Sequence, residues 1–296
     1  MLQSMILNHG ALEFSAWTAG FDDNPDAPIV ICLHGFPDNA RTFRYQLPAL
    51  AAAGFRAVAP NMRGYEPGSQ PADEDYSLVA IAGDVIAWAD QLGADKVHLL
   101  GHDWGAAVTY VAGGMAPERF HSLMTIAVPH AARFADAAKQ VPSQLAKSWY
   151  MMFFQLRGIA EFAMAYNDWA LIRRLWKNWS PGYALSDEEW RALRETFQAP
   201  GVKKAMLNYY RQNATPSMLL GIKEMPAARF PTVPVPTLAL TGADDGCIDS
   251  RLYDYTFTEQ DFPAGYRVER IANAGHFAQI ERPEEVNRLL LEWLAR

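Results

Sequence analysis

Residues 1–130 alternate short apolar runs with longer amphipathic stretches, and this alternation constrains the fold more than any other feature of the sequence. The apolar runs Ala27–Leu33 and Phe55–Pro60 have the length and composition of buried strands. The amphipathic stretches Arg41–Ala53 and Ser77–Leu92 are each followed by a glycine, which is typical of helices. Strands that alternate with helices predict an α/β fold, in which a mostly parallel sheet carries helices on both faces.

The alternation is interrupted once and then resumes. It first continues through a strand at Lys96–Leu100, a helix at Trp104–Met115 and a strand at Ser122–Val128. Between about Ala131 and Phe230, helix-like patterns rich in tryptophan and methionine replace the strand patterns. The closing elements are strands at Thr237–Thr241 and Tyr266–Ile271 and an amphipathic helix at Glu284–Leu294. We therefore predict a core made from two parts of the chain, with an inserted helical cap. The predicted segments are core 1–130, cap 131–230 and core 231–296.

Charge and hydropathy exclude two classes of partner. The 296 residues include 33 acidic and 26 basic side chains, and the formal net charge is −7. A nucleic-acid-binding protein needs a basic face, so no nucleic-acid partner is expected. The longest runs without a charge, Trp104–Pro117 among them, are too short to cross a bilayer, which takes about 20 residues. No membrane span is therefore expected.

The cysteines and histidines of the sequence indicate in which compartment the protein is expected and which cofactors are not expected. Cys32 and Cys247 lie far apart in the sequence, which predicts free thiols in a reducing compartment. Residues 1–12 lack the basic start and the sustained apolar stretch of a secretion signal, so we expect a soluble, cytoplasmic protein. The histidines show no paired ligand spacing and no phosphate-binding glycine loop is present. Neither a metal nor a nucleotide cofactor is expected.

The strongest local signal is GHDWGA at 101–106, between a predicted strand and a predicted helix. Gly101 and Gly105 flank Asp103 at the spacing of a nucleophile elbow, a tight turn that exposes its central side chain. Serine usually occupies that position. A carboxylate is already ionised at pH 7 and suits attack on a tetrahedral carbon that carries a leaving group. The expected intermediate is an alkyl ester on Asp103, which water must then hydrolyse.

Hydrolysis of that ester requires a general base and an acid that orients it. His276 follows the last predicted strand, and histidine titrates near neutral pH. Asp245 follows the strand before it and is the predicted orienting acid, with the adjacent Asp244 as the alternative. The order Asp103, Asp245, His276 is the nucleophile, acid and base order of α/β-hydrolases.

Two backbone N–H groups are expected to hold the oxyanion that forms during ester hydrolysis. One belongs to Trp104, the residue after the nucleophile, and the other lies in the loop HGFPDN at 34–39. Phe36 is the candidate in that loop. Gly35 before it lets the chain turn, and Pro37 after it restricts the backbone that follows.

These residues resemble the α/β-hydrolase superfamily and, within it, the epoxide hydrolases. The matching motifs are HGFP at 34–37, Arg-Gly-Tyr at 63–65, GHDWG at 101–105, AVPH at 127–130, and GHF followed by Arg-Pro-Glu-Glu-Val at 275–286. The sequence departs from the family at Asn61, where aspartate is usual, and at Ala106, where glycine is common. The resemblance implies an α/β-hydrolase fold with a helical cap and a cis peptide bond between Phe36 and Pro37.

The resemblance also implies two cap tyrosines that donate hydrogen bonds to the oxygen of an opening epoxide. The matching patterns are WYMMFFQL at 149–156 and NYYRQN at 208–213. They assign the role to Tyr150 and Tyr210, with Tyr209 as the alternative to Tyr210. A phenol suits this role because it stays protonated at neutral pH and can donate. The expected substrate contacts are Phe36, Trp104, Tyr150, Phe154 and Tyr210.

The sequence therefore favours an epoxide hydrolase that converts a small hydrophobic epoxide, its expected partner, to a vicinal diol. A haloalkane dehalogenase with the same Asp-His-Asp triad is one alternative, but its leaving halide needs N–H donors, often from the position that Phe36 occupies. A small-molecule binding protein of the same fold without activity is the other alternative. The oligomeric state stays open, with a homodimer among the states considered.

Overall fold

An eight-stranded sheet forms the centre of the computed structural model, which describes residues 2–22, 24–219 and 232–296. The strands are β1 (Gln3–His9), β2 (Leu12–Ala19), β3 (Ile29–Leu33), β4 (Arg56–Pro60), β5 (Val97–His102), β6 (Phe120–Ile126), β7 (Thr237–Gly242) and β8 (Tyr266–Ile271). Their spatial order is β1-β2-β4-β3-β5-β6-β7-β8. β2 pairs antiparallel with β1 and β4, whereas every other pair is parallel. The predicted α/β fold is confirmed.

Helices cover both faces of this sheet. The α-helices are α1 (Gln46–Ala52), α2 (Leu78–Gln91), α3 (Trp104–Met115), α4 (Phe134–Gln140), α5 (Ser143–Lys147), α6 (Trp149–Phe153), α7 (Ile159–Trp179), α8 (Asp187–Gln198), α9 (Val202–Asn213), α10 (Pro216–Leu219), α11 (Tyr253–Thr256), α12 (Ala278–Glu281) and α13 (Pro283–Leu294). Short 3-10 helices occupy Ala40–Phe43, Pro67–Ser69, Pro117–Arg119, Ala131–Arg133 and Ser250–Leu252.

The central strand β3 shows how the sheet separates two apolar layers. All five of its residues are buried, as expected for a parallel strand that is covered on both faces. Ile29, Ile31 and Leu33 pack in one hydrophobic cluster together with residues of α2 and α3. Val30 and Cys32 point the other way, into the cluster formed with α1 and α13. Successive side chains thus face opposite layers, as strand geometry requires.

Two features of the first 60 residues differ from the sequence patterns. The prediction of one helix over Arg41–Ala53 is wrong, because a 3-10 turn and α1 divide that range. Pro48 has no N–H and fits only the first turn of a helix, so α1 begins at Gln46. No pattern before residue 27 predicts a strand, yet β1 and β2 form an antiparallel hairpin. Most of β1 is exposed, which removes the apolar alternation that would reveal it.

Helices α4 to α10 lie between β6 and β7, at the predicted position of the cap. Residues 220–230 of the predicted cap fall outside the described residues, so the division at 130 and 230 stays a prediction. Helix α7 is broken at 166–169, where Asn167, Asp168 and Trp169 all have positive φ. None of the described helices combines the length and apolar character that crossing a bilayer requires.

Candidate active site

Asp103 lies at a sharp turn between β5 and α3, with a φ of +53°. A Cβ atom added to Gly101 would overlap the carbonyl oxygen of Gly105, and one added to Gly105 would overlap the carbonyl oxygen of Leu33. Both positions therefore require glycine. These contacts are the physical reason for the glycine spacing in GHDWG.

The Asp103 carboxylate is buried and held from two sides. Its Oδ1 accepts a hydrogen bond of 2.7 Å from the backbone N–H of Phe36. Its Oδ2 lies 3.4 Å from Nε2 of His276. Gly35 allows this approach, because a Cβ there would overlap the Asp103 side chain. The peptide bond between Phe36 and Pro37 is cis, as the resemblance implies.

Asp245, not Asp244, contacts the imidazole of His276. Asp245 Oδ2 lies 3.0 Å from His276 Nδ1, and both side chains are fully buried. The other oxygen, Oδ1, accepts hydrogen bonds from the backbone N–H groups of Cys247 at 2.6 Å and Ile248 at 2.9 Å. Asp244 is exposed, and its backbone N–H donates to the carbonyl of Ala274. The loops after β5, β7 and β8 thus bring Asp103, Asp245 and His276 into one line.

The electrostatic environment favours a charged imidazole. Burial alone would lower the pKa of His276, but the influence of Cys247, Asp245 and Asp103 outweighs burial and raises this pKa well above its ordinary value. Burial also raises the pKa of the Cys247 thiol, so that group is neutral at pH 7. The two carboxylates therefore sustain the upward shift. Loss of the charge on Asp103 would lower the pKa of His276.

Two other buried histidines near the site are neutral and brace its loops. Burial lowers the pKa of His34 to about 4 and that of His102 to about 3. Nε2 of His34 accepts a hydrogen bond of 2.9 Å from the N–H of Met62. The Nε2–H of His102 donates to the backbone carbonyl of His276 at 3.0 Å. These contacts tie the loops after β3, β4, β5 and β8 together.

The cap places Tyr150 and Tyr210 over this site. Their ring centroids are 5.6 Å apart, and the Tyr210 ring lies 5.0 Å from that of Trp104. The Tyr150 hydroxyl lies 3.3 Å from Sγ of Cys247, whereas the buried Tyr210 hydroxyl has no hydrogen-bond partner among the described residues. Burial, followed by nearby groups that include Asp103, raises the pKa of both tyrosines well above its ordinary value. Both phenols therefore remain protonated.

Tyr210 and its alternative, Tyr209, differ in the contacts of their hydroxyls. The Tyr209 hydroxyl donates a hydrogen bond of 2.8 Å to the backbone carbonyl of Arg63, so it is engaged in joining the cap to the core. Phe154 is buried beside Tyr210, with ring centroids 5.0 Å apart, and lies 5.5 Å from the ring of Phe36. Phe154 and Phe36 give the site an apolar wall.

Three residues at the site carry no role in the sequence prediction. Cys247, interpreted only as a buried thiol, contacts the Tyr150 hydroxyl, and its position two residues after Asp245 was the available signal. Tyr65, in the Arg-Gly-Tyr motif, has a buried hydroxyl without a partner in the described part of the chain. The carbonyl of Trp179 accepts the backbone N–H of His276 at 3.0 Å. No sequence pattern indicates this last contact, because it depends on how α7 packs.

One group of described residues has donor atoms suited to a metal. Asp245, Cys247 and His276 each offer one atom, and these atoms lie within 4.8 Å of one another. The hydrogen bond between Asp245 and His276 already accounts for the proximity of two of them, and Cys247 lies on the same turn as Asp245. These contacts therefore account for the closeness of the three donor atoms, and no metal is needed to explain it.

Comparisons with known proteins agree with this geometry. Residues 28–283 match the family model of the alpha/beta hydrolase fold, which defines the class of the protein. The chain is 31% identical over 271 residues to the AB hydrolase superfamily protein YfhM of Bacillus subtilis, with 91% of each chain covered. It is also 31% identical over 313 residues to epoxide hydrolase A of Mycobacterium tuberculosis, again with 91% of each covered.

A solved structure shows the same fold over the whole length of the chain. The epoxide hydrolase of Bacillus megaterium, crystallised with an inhibitor, superposes with a TM-score of 0.85 at 24% identity, with 99% of this chain and 100% of that chain covered. The protein belongs to the epoxide hydrolase family, whose members are hydrolases acting on ether bonds.

Proposed function

We propose that the protein opens small hydrophobic epoxides to vicinal diols through an ester formed on Asp103. The position of the Asp103 carboxylate carries this proposal. It contacts the Phe36 N–H and His276, and it lies close enough to Tyr150 and Tyr210 for its charge to raise the pKa of both. A nucleophile, a base and two protonated donors therefore converge on one buried site.

Ring opening is the first step. An oxygen of Asp103 attacks the less hindered epoxide carbon from behind, and the bond from that carbon to the ring oxygen breaks. Tyr150 and Tyr210 hold the ring oxygen, and a proton passes from a phenol to the alkoxide. The Tyr150 hydroxyl gives up only a contact with sulfur when it turns to the substrate, and sulfur is a weak hydrogen-bonding group.

Ester hydrolysis is the second step. Once Asp103 is esterified it carries no charge, so the pKa of His276 falls and the imidazole releases its proton, which restores the phenol. Neutral His276 then takes a proton from a water molecule that attacks the ester carbonyl carbon. Asp245 stabilises the resulting imidazolium, and the N–H groups of Phe36 and Trp104 stabilise the oxyanion. Collapse of this intermediate breaks the bond from the carbonyl carbon to the substrate oxygen. That oxygen takes the remaining proton of the attacking water, so the diol leaves and the carboxylate is regenerated while His276 stays protonated.

The donor set favours an epoxide over an alkyl halide. A departing halide needs two N–H donors. The indole N–H of Trp104 could be the first, because it is buried without a partner among the described residues. The second donor position of dehalogenases holds Phe36, whose ring has no N–H. Two phenols can instead protonate an alkoxide, which a halide does not require. We therefore expect diol from styrene oxide and no bromide from 1-bromobutane.

The variant His276→Gln tests the two-step pathway. It keeps the nucleophile and removes the base, so a substrate adduct should accumulate on the peptide that contains Asp103. Intact-protein and peptide mass spectrometry would detect this adduct. The double variant Asp103→Asn with His276→Gln is the control and should show none. Unchanged turnover in His276→Gln, with no adduct, would refute the assignment.

Two further expectations from the sequence complete the proposal. We expect a cytoplasmic location and include a homodimer among the expected states. Cell fractionation would test the first, and light scattering on the purified protein would test the second.

A further inference from the structure

The outer surface of the cap carries two stripes of exposed, large hydrophobic side chains. The first stripe is Leu145, Trp149, Met152 and Leu156, and the second is Ile159, Phe162 and Tyr166. We call these residues the cap patch. They are seven of the 13 exposed large hydrophobic residues in the described chain, and the other six are scattered between Ile6 and Tyr266.

The cap patch is larger than chance exposure explains. Phe162 is 68% exposed, Tyr166 63% and Ile159 59%. Side chains of this size present on the order of 700 Å² together. Each stripe supplies about half of this area, and exposed apolar area of this extent, concentrated within residues 145–166, is typical of an interaction site.

The residue spacing places the second stripe on one side of α7, and it places Trp149 and Met152 of the first stripe on one side of α6. Members of the first stripe follow one another at intervals of four, three and four residues. Leu145 lies on α5, Trp149 and Met152 lie on α6, and Leu156 lies in the turn after α6. Members of the second follow at intervals of three and four along the first half of α7. Residues at these intervals share a side of a helix. The ring centroids of Phe162 and Tyr166 lie 5.4 Å apart, so these two side chains of the second stripe pack together.

The cap patch has no role in packing against the core. The inward side of the α6 segment supplies Tyr150 and Phe154 to the active site, and both are buried. Trp149 and Met152 of the same helix are exposed on its other side. The segment is therefore apolar on both sides, although burial requires it on only one.

Charge is unevenly distributed between the cap and the core. The predicted cap, residues 131–230, contains 14 basic and 8 acidic residues, a net charge of +6. The remaining residues contain 12 basic and 25 acidic ones, a net charge of −13. The cap patch thus belongs to the positive part of a strongly polarised molecule.

The acidic residues of α7, the helix that carries the second stripe, are both paired with arginines. Glu161 pairs with Arg211 at 2.7 Å, and Asp168 pairs with Arg194 at 3.0 Å, so arginines of the cap neutralise both acidic groups of α7. Arg157 lies between the two stripes and is exposed. An exposed cation among apolar side chains fits a binding surface that has an apolar interior and anionic groups at its outer boundary, because the cation can pair with those groups while the apolar side chains enter the interior.

We propose that the cap patch docks on the surface of a membrane that contains anionic lipids. Its apolar side chains would enter the boundary between headgroups and acyl chains, while the basic cap faces lipid phosphates and the acidic core faces away. Docking of two caps on each other would instead bring two net charges of +6 together. The proposal is independent of the chemistry assigned to Asp103.

Vesicle flotation without substrate tests the proposal. Vesicles of phosphatidylcholine and phosphatidylglycerol in equal amounts are compared with vesicles of phosphatidylcholine alone, at low and high salt. We expect about tenfold more binding to the anionic vesicles at low salt, and a loss of this preference at high salt. The double variant Ile159→Ser with Phe162→Ser should bind about tenfold less.

A matched variant on the core controls for exposed hydrophobic residues in general. Met115 and Tyr255 are each 47% exposed, and Met115→Ser with Tyr255→Ser should bind as the unchanged protein does. Thermal unfolding confirms that both double variants are folded. Absence of binding to anionic vesicles, or an equal loss in both double variants, would overturn the proposal. So would a dimer in light scattering that Ile159→Ser with Phe162→Ser converts to monomers, since the cap patch would then join two copies.

Discussion

The core and the cap contribute different chemistry to one site. In the proposed mechanism the core supplies groups that carry or exchange charge, Asp103, Asp245 and His276, each on a loop that follows a parallel strand. The cap would supply neutral hydroxyls, Tyr150 on α6 and Tyr210 on α9, and the Tyr210 ring contacts Trp104 and Phe36 in the loops after β5 and β3. In our account, both steps need the core, whereas only ring opening needs the donors of the cap.

The two regions also differ in how their side chains are positioned. Backbone contacts that tolerate only glycine determine the direction of Asp103, and two N–H groups hold Asp245. The Tyr210 hydroxyl has no hydrogen bond within the described ranges, and its ring packs among other rings, at 5.0 Å from Trp104 and 5.2 Å from Phe36. A substitution of a core residue that is fixed by the backbone should therefore reduce the rate of its step strongly. A substitution of a cap tyrosine should reduce the rate of ring opening only in part.

The largest expected effect separates Asp245 from its neighbour. Asp245→Asn removes the charge that stabilises the His276 imidazolium, so kcat should fall by about 10³- to 10⁴-fold. Asp244→Asn changes an exposed carboxylate one residue away and should leave kcat within about twofold. Steady-state diol formation measures both variants. An equal fall in kcat for Asp245→Asn and Asp244→Asn would show that Asp245 does not act as the orienting acid of His276.

The tyrosines of the cap should show intermediate effects on ring opening alone. Tyr150→Phe and Tyr210→Phe should each slow ester formation by about 10- to 100-fold, and the double variant should be nearly inactive. Tyr209→Phe is the matched control. It leaves the Arg63 carbonyl without a donor, so it should cost about 1–2 kcal/mol of stability and little activity. Rapid-quench measurement of the adduct gives the rate, and an equal slowing by Tyr209→Phe would contradict the assignment.

The smallest expected effect is a change in the pKa of His276. Asp103→Asn removes one of the two carboxylates that raise it, so this pKa should fall. Nuclear magnetic resonance of the imidazole nitrogens measures it directly. A pKa that stays constant or rises would show that Asp103 does not control the base.

The same shift has a consequence for stability. A raised pKa in the folded state stabilises the protein fully below the unfolded value of about 6.5, and this contribution is lost as the pH rises through the folded pKa. Asp103→Asn lowers the pKa of His276 in the folded state, so less stability is lost as the pH rises. The unfolding free energy of this variant should therefore fall less steeply above pH 6.5 than that of the unchanged protein. Urea unfolding at a series of pH values checks this decline.

Local signals explain why much of the core could be predicted from the sequence. Helix α3 and strand β8 have the bounds that the sequence indicates. The positions of Asp103, Asp245 and His276 at strand ends follow from motifs a few residues long. In the cap, a local signal also marks the start of α8, where Ser186 and Glu189 form a capping box.

Other features depend on packing between distant segments, and the sequence shows little of them. The cap tyrosines were assigned by resemblance, since no local pattern determines where α6 and α9 meet the core. The contact of Cys247 with Tyr150 and that of Trp179 with the His276 backbone each join residues about 100 positions apart. The break in α7 includes Asn167 and Asp168, residue types that tolerate positive φ, but one such pair within a helical pattern is too weak a signal to predict a break.

The most direct test of the account is a single turnover in water that carries heavy oxygen, with enzyme in excess over epoxide. If the Asp103 carboxylate attacks carbon, the diol takes its new oxygen from the protein. The heavy oxygen should then appear in the peptide that contains Asp103, and the first diol should be unlabelled. Heavy oxygen in the diol, with none in that peptide, would show that water attacks the epoxide directly and would contradict the account.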